Sequence, residues 1–286
     1  MSIERVRNQA QILPGRNTVD WKTVVTDFAE KKYGSVGVEF ANKFWLNDIA
    51  DDFQFLVPVT PESKILVIGG PIGEGMMNLA ERAQSITIME SRQEIQNIIE
   101  MMIEQFSIHN LYVTNQTLSQ TPKQNELMDL IVQEMPFTNS SCPQLDRPML
   151  SMDENHLTMV QNNLKTGGYY YLSFENVYSP MAILKNLQSK NSIQKKTNAS
   201  YFKIKKLLAQ HGFKVVRSFY LLPNHRRFSF AVEGENRGSF SLLAKLLKPY
   251  PQFNRMKAMG ISSFEFMPFK IERIIWPGFG ILAQKI

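Results

Sequence analysis

The sequence predicts an α/β fold: a seven-stranded sheet of five parallel strands plus a terminal antiparallel pair. Three observations lead there. Apolar runs of strand length alternate with amphipathic stretches of helix length from residue 64 to residue 174, the rhythm of right-handed βαβ units with helices on both faces of a sheet. The first run, KILVI (64–68), is continuously apolar, rich in β-branched residues and bounded by glycine, as a parallel strand buried on both faces is. Finally, the last two strand-like runs before residue 235 are joined by a short turn, which favours antiparallel pairing.

Taken in order, VDWKTVVTDFAEKKY (19–33) and VGVEFANKFWLNDIA (36–50) space their apolar residues by three and four and predict two helices ahead of the sheet. KILVI (64–68) is the first strand, MMNLAERAQ the helix after it, and SITIME (85–90) the second strand, ending in Glu90. SRQEIQNIIEMMIEQF opens with Ser91 and Glu94 at capping-box spacing and continues as a helix. NLYVTN and LMDLIVQEMPF are the third and fourth strands, the latter leaving through Glu134 and Pro136. In LTMVQNNLKTGGYYYLSFEN a helix closes at Gly167 and Gly168 and the fifth strand follows. YFKIKKLLAQHGFKVVRSFYLLPN repeats the unit, with Gly212 as the helix C-cap, and RRFSFAVE turns back on it. The stretch VYSPMAILKNLQSKNSIQKKTNAS reads as a long loop at the edge where open α/β sheets bind ligands. These signals divide the chain into a helical segment (1–60), the sheet domain (61–235) and a basic C-terminal extension (236–286) with an amphipathic stretch, SFSLLAKLLKPYP, and a strand-like run, FKIERIIWPGFGILAQK.

Composition excludes several classes. The one cysteine, Cys142, allows no internal disulfide and no cysteine metal site, and the four histidines show no ligand spacing, so no metal is expected. MSIERVRNQAQ lacks the apolar core of a signal peptide and no stretch of eighteen apolar residues occurs, so the expectation is a cytoplasmic protein without a transmembrane segment. The net charge of +6 hides an asymmetry: residues 181–286 hold 19 Lys+Arg against 4 Asp+Glu, or +15, which leaves −9 for residues 1–180. An anionic partner is therefore expected on the second part of the chain. Nucleic acid is not the expected one, because the aromatics there occupy core-like strand positions.

The turn after the first strand, GGPIGEG, is the candidate ligand site. Gly70 and Gly75 have P-loop spacing, but Met76 and Met77 stand where Lys and Ser/Thr are needed. Gly73 and Gly75 begin a dinucleotide turn, but Asn78 replaces its last glycine. A third pattern fits better. ILVIGGPIG followed by ITIME resembles the first two motifs of class I, Rossmann-like S-adenosylmethionine-dependent methyltransferases. Gly69 and Gly73 match the outer glycines and Glu90 the acid that clasps the ribose; Val67 and Pro71 replace the acid and the middle glycine of the first motif. Downstream, GGYYYLSFENVYSP and HGFKVVRSFYLLPNHRRFSFAVE are similar to segments of methyltransferases associated with glycosyltransferases of cell-surface glycan assembly. The resemblance spans roughly residues 60–235.

That resemblance implies a methyltransferase sheet, S-adenosylmethionine as cofactor, and O-methylation of a glycan, nucleotide-linked sugar or polar metabolite, with a glycosyltransferase as a possible partner. It places Gly69, Gly70, Gly73, Glu90, Gln116 and Thr117 at the cofactor. The candidate catalytic residues are Glu175 and Glu134, at the ends of the fifth and fourth strands, and His225, whose imidazole titrates near neutrality. Asn176 and the pair Arg226 and Arg227 are candidates for substrate, the arginines as a phosphate clamp. The altered first motif keeps an alternative open, a non-catalytic Rossmann-like module that binds a partner.

Overall fold

The computed structural model describes residues 21–44, 46, 52–69, 74–115, 118, 127–135, 153–176, 178–179, 200–223, 228–234, 273, 276 and 278–286. Among these, one eight-stranded sheet is formed by β1 (Lys64–Ile68), β2 (Ser85–Met89), β3 (Leu111–Thr114), β4 (Met128–Glu134), β5 (Leu164–Glu175), β6 (Phe213–Pro223), β7 (Phe228–Glu233) and β8 (Gly278–Lys285). Their order is β3-β2-β1-β4-β5-β8-β6-β7. β1 lies parallel between β2 and β4, with Ile65 opposite Ile86 on one side and Leu130 on the other. β3 and β5 extend the parallel set outward. β8 runs antiparallel between β5 and β6, pairing Tyr171 with Leu282 and Phe219 with Gly280.

This corrects the expected seven strands to eight. β6 and β7 pair antiparallel as expected, but β7 lies at the sheet edge. The inner antiparallel strand comes instead from the end of the chain, GFGILAQK, whose first six residues are buried. Gly280 is required there: a Cβ would sit 2.9 Å from the Tyr171 hydroxyl and 3.3 Å from Leu221 Cδ1.

Among the described residues, five α-helices cover the two faces: α1 (Trp21–Phe44), α2 (Glu74–Ala80), α3 (Gln93–Phe106), α4 (Glu154–Asn163) and α5 (Tyr201–Gln210). Alternation along each strand sends successive side chains to opposite faces. Ile65, Val67, Ile86, Ile88, Leu130 and Val132 pack with Trp21, Val25, Met76, Leu79, Ile95 and Ile99 on the α1–α3 side. Leu66, Ile68, Ile131, Tyr170 and Leu172 pack with Leu157, Val160, Tyr201, Ile204 and Leu208 on the α4–α5 side. The two helices expected in residues 19–50 are met as far as the chain is described: α1 is two helical segments joined at a kink at Gly34, where φ 63° is a conformation glycine alone adopts readily, and residues 19, 20, 45 and 47–50 lie outside the described residues.

Local signals at helix ends were met in part. Gly212, at φ 71°, follows the last turn of α5 as expected, and the Ser200 hydroxyl accepts the Lys203 N–H at its start. The Ser91/Glu94 capping box does not form. Arg92 is the N-cap of α3 without a side-chain cap bond, and Glu94 reaches across to Lys32 of α1. Gly167 and Gly168 do not close α4, which ends at Asn163; they sit in an irregularity of β5 where the register with β4 shifts. Lys285 of β8 closes α4 instead, its ammonium donating to the Gln161 and Leu164 carbonyls at 2.6 and 2.7 Å, a favourable place for a cation at a helix C-terminus.

Candidate functional site

The C-terminal ends of β1, β2, β4 and β5 form one edge, and the chain reverses its direction of strand addition at β1, between β2 and β4. Open α/β sheets bind ligands in the crevice at such a switch point. The edge gathers Gly69, Glu90, Glu134, Glu175 and Asn176, each the last residue of a strand or the one after it. Gly69 is buried at φ 67° and donates its N–H to the Met89 carbonyl at 2.9 Å, tying the turn after β1 to β2. Gly70, Gly73, Gln116, Thr117, His225, Arg226 and Arg227 lie outside the described residues.

Glu90 has no exposed surface. Its N–H donates to the Thr114 carbonyl at 2.9 Å, and the Gln96 side-chain amide donates to its carbonyl. Among the described residues the carboxylate is held by one, Arg92. Oε1 accepts the Arg92 backbone N–H at 2.9 Å and Nε at 2.8 Å, and Oε2 accepts Nη2 at 2.6 Å. A buried carboxylate needs this kind of compensation, and the guanidinium fork provides it in a bidentate geometry. Sequence reasoning placed Glu90 and missed Arg92. The signal available was a cation two residues past the expected ribose acid, at the N-terminus of a helix where a cation is electrostatically disfavoured.

The other half of the edge is built from hydroxyls and carboxylates. Glu134 is buried and pairs in register with Ser173 of β5, so their side chains share a face, and Tyr171 lies on the same face two residues earlier. Burial, and then the Glu134 charge, pushes the Tyr171 phenol well above its ordinary pKa. The Tyr171 and Ser173 hydroxyls are buried without a well-formed hydrogen bond among the described residues. Period two back from Glu175 was the signal that could have found both. Asn176 is buried and binds backbone: its amide donates to the carbonyls of Arg273 at 3.1 Å and Trp276 at 2.8 Å, fixing the chain that leads into β8. Behind the edge, on the opposite face, His156 Nε2 donates to Gln133 Oε1 at 2.7 Å, and the Tyr170 hydroxyl donates to the same oxygen. Burial depresses the His156 pKa to about 4.

No group of three or more metal-ligating side chains occurs among the described residues, and no helix among them is long and apolar enough to cross a membrane. No protein-family model matches the chain, and no curated protein matches it significantly. Solved structures do. One is phosphoethanolamine N-methyltransferase 2 of Haemonchus contortus, in complex with phosphomonomethylethanolamine and S-adenosylhomocysteine: 13% identity, TM-score 0.51, covering 93% of this chain and 60% of that one. Another is the [4+2]-cyclase SpnF, at 13% identity and TM-score 0.50, covering 85% of each chain. At these identities the likeness shows the fold, the Rossmann-like α/β fold of S-adenosylmethionine-dependent methyltransferases.

Proposed function

We propose that the chain is an S-adenosylmethionine-dependent methyltransferase that methylates oxygen on a glycan, a nucleotide-linked sugar or another polar metabolite, in the cytoplasm. The observation that carries this reading is the pairing, on adjacent parallel strands at the switch point, of left-handed Gly69 with the buried carboxylate of Glu90. The glycine gives room for close backbone approach, and the carboxylate is an acceptor for a vicinal diol. Gly70, Gly73, Gln116 and Thr117 complete the cofactor side on this reading.

The bound cofactor supplies an electrophilic methyl group. The chain has to align the acceptor and take up its proton, and in-line transfer draws most of its acceleration from such positioning. Glu134 or Glu175 is the proton acceptor at the strand ends, with His225 as a further base. Asn176 acts by holding the segment at Arg273 and Trp276, and Arg226 and Arg227 bind anionic groups of the substrate. Glu90→Ala is expected to weaken S-adenosylhomocysteine binding at least tenfold in titration calorimetry, and an unchanged affinity would remove the proposed site.

A second reading is a non-catalytic module that binds a glycosyltransferase or another partner through its basic C-terminal part. One observation favours it: in the free chain Glu90 already has a full partner in Arg92. That reading expects no cofactor in the purified protein and a stable complex in pull-downs, so mass-spectrometric recovery of the cofactor would argue against it.

A further inference from the structure

Glu90 and Arg92 make the ribose seat self-occupied. A carboxylate offers about four lone-pair positions, and three of them are taken by the Arg92 N–H, Nε and Nη2. A vicinal diol donates two hydrogen bonds, and only one position on Oε2 remains. The exposure of the two partners is also unequal. The Arg92 side chain is 22% exposed and Glu90 is fully buried, so Arg92 is the solvent-side member of the pair and the only one able to leave toward water. The backbone bonds from Glu90 to Thr114 and from Gln96 to Glu90 do not involve the guanidinium, so the carboxylate keeps its place when Arg92 swings away.

We infer that Arg92 is a displaceable occupant of the ribose seat: an adenosyl ligand binds by exchanging its vicinal diol for the guanidinium on Glu90. This rests on the cofactor reading above and adds to it a residue that sets affinity and selects for an intact diol. A ligand that lacks one ribose hydroxyl forfeits the exchange, because a single hydroxyl fits the one open position on Oε2 with Arg92 still in place.

The test is calorimetric titration of S-adenosylhomocysteine and of its 2′-deoxy counterpart into the full-length wild type, Arg92→Ala and Arg92→Gln. Gln keeps the backbone N–H bond and a side-chain donor if Ala does not fold, and a thermal melt reports folding for each protein. The expected result is about tenfold tighter binding of S-adenosylhomocysteine by the variants, one lost charge-assisted bond not having to be broken, with little or no gain for the 2′-deoxy ligand. Binding by the variants alone supports the exchange as well. If the wild type binds and the variants bind equally or more weakly, the exchange is overturned and the cofactor reading stands. Absence of binding by all three proteins overturns both.

Discussion

Two buried carboxylates stand at the same sheet edge, and the chain treats them differently. Glu90, at the end of β2, is paired with the guanidinium two residues on, and its backbone is held by its own N–H bond to the Thr114 carbonyl of β3 and by the Gln96 side-chain amide of α3. Glu134, at the end of β4, pairs in register with Ser173, and its charge adds to the burial that raises the pKa of the Tyr171 phenol. The first arrangement fixes a charge in place; the second sets a charge among hydroxyls, groups that donate, accept and exchange protons. On the function proposed above, a cofactor clasp would use the former and proton chemistry at an acceptor the latter, and the difference follows from the partners and not from the carboxylates themselves.

Breaking the first arrangement has the largest expected effect. Glu90→Leu takes from Arg92 the carboxylate that binds its Nε and Nη2 in a site only partly open to water, and removing one member of such a pair typically costs about 3–5 kcal/mol. Urea unfolding of the variant measures it, and a loss under about 1 kcal/mol would mean that the pair is loosely held, as surface pairs are.

The next effect lies behind the edge. His156 has its pKa lowered from 6.5 to about 4 by burial, so the unfolded chain binds the proton more readily than the folded one between those values. Stability is therefore full above pH 6.5 and falls as pH drops toward 4, by about 3 kcal/mol for a shift of this size. His156→Gln removes this component, and a stability profile from pH 7 to pH 4 that is equally steep in the variant would contradict the assignment.

The hydroxyl side is probed by Gly280→Ala, whose methyl meets the Tyr171 hydroxyl at 2.9 Å. Overpacking at a fully buried ring is expected to destabilise by about 1–3 kcal/mol. Adding Tyr171→Phe should recover most of it, and a double variant no more stable than Gly280→Ala would place the clash at the Tyr171 ring carbon or Leu221, each 3.3 Å away. The smallest effect is at the exposed Lys32 and Glu94 pair between α1 and α3, with 43% and 51% side-chain exposure: Lys32→Ala should leave the melting midpoint unchanged.

Local grammar made much of this fold readable. KILVI is a continuous apolar run buried from Ile65 onward, SITIM buries Ile86 and Ile88 in alternation with half-buried neighbours, and Gly212 sits where a helix must turn left-handed. Sheet order was not readable for β8, because a strand recruited from residues 278–285 leaves no periodic mark that distinguishes an inner place from an edge. The Ser91/Glu94 box failed because α3 starts one residue later than the motif requires: Arg92 is the N-cap, which puts Glu94 at the second helical position, where it pairs with Lys32. At the candidate site the strand-end positions of Gly69, Glu90, Glu134, Glu175 and Asn176 were legible from the ends of the apolar runs. Their partners were not. Arg92, Tyr171 and Ser173 acquire meaning only when strands and turns are set side by side.

The most direct measurement of the central claim is titration of S-adenosylhomocysteine into the purified wild-type chain. Saturable binding at a single site well below millimolar ligand, weakened by Glu90→Ala, is the predicted result. No heat of binding at millimolar ligand, from a protein shown to be folded, would contradict it.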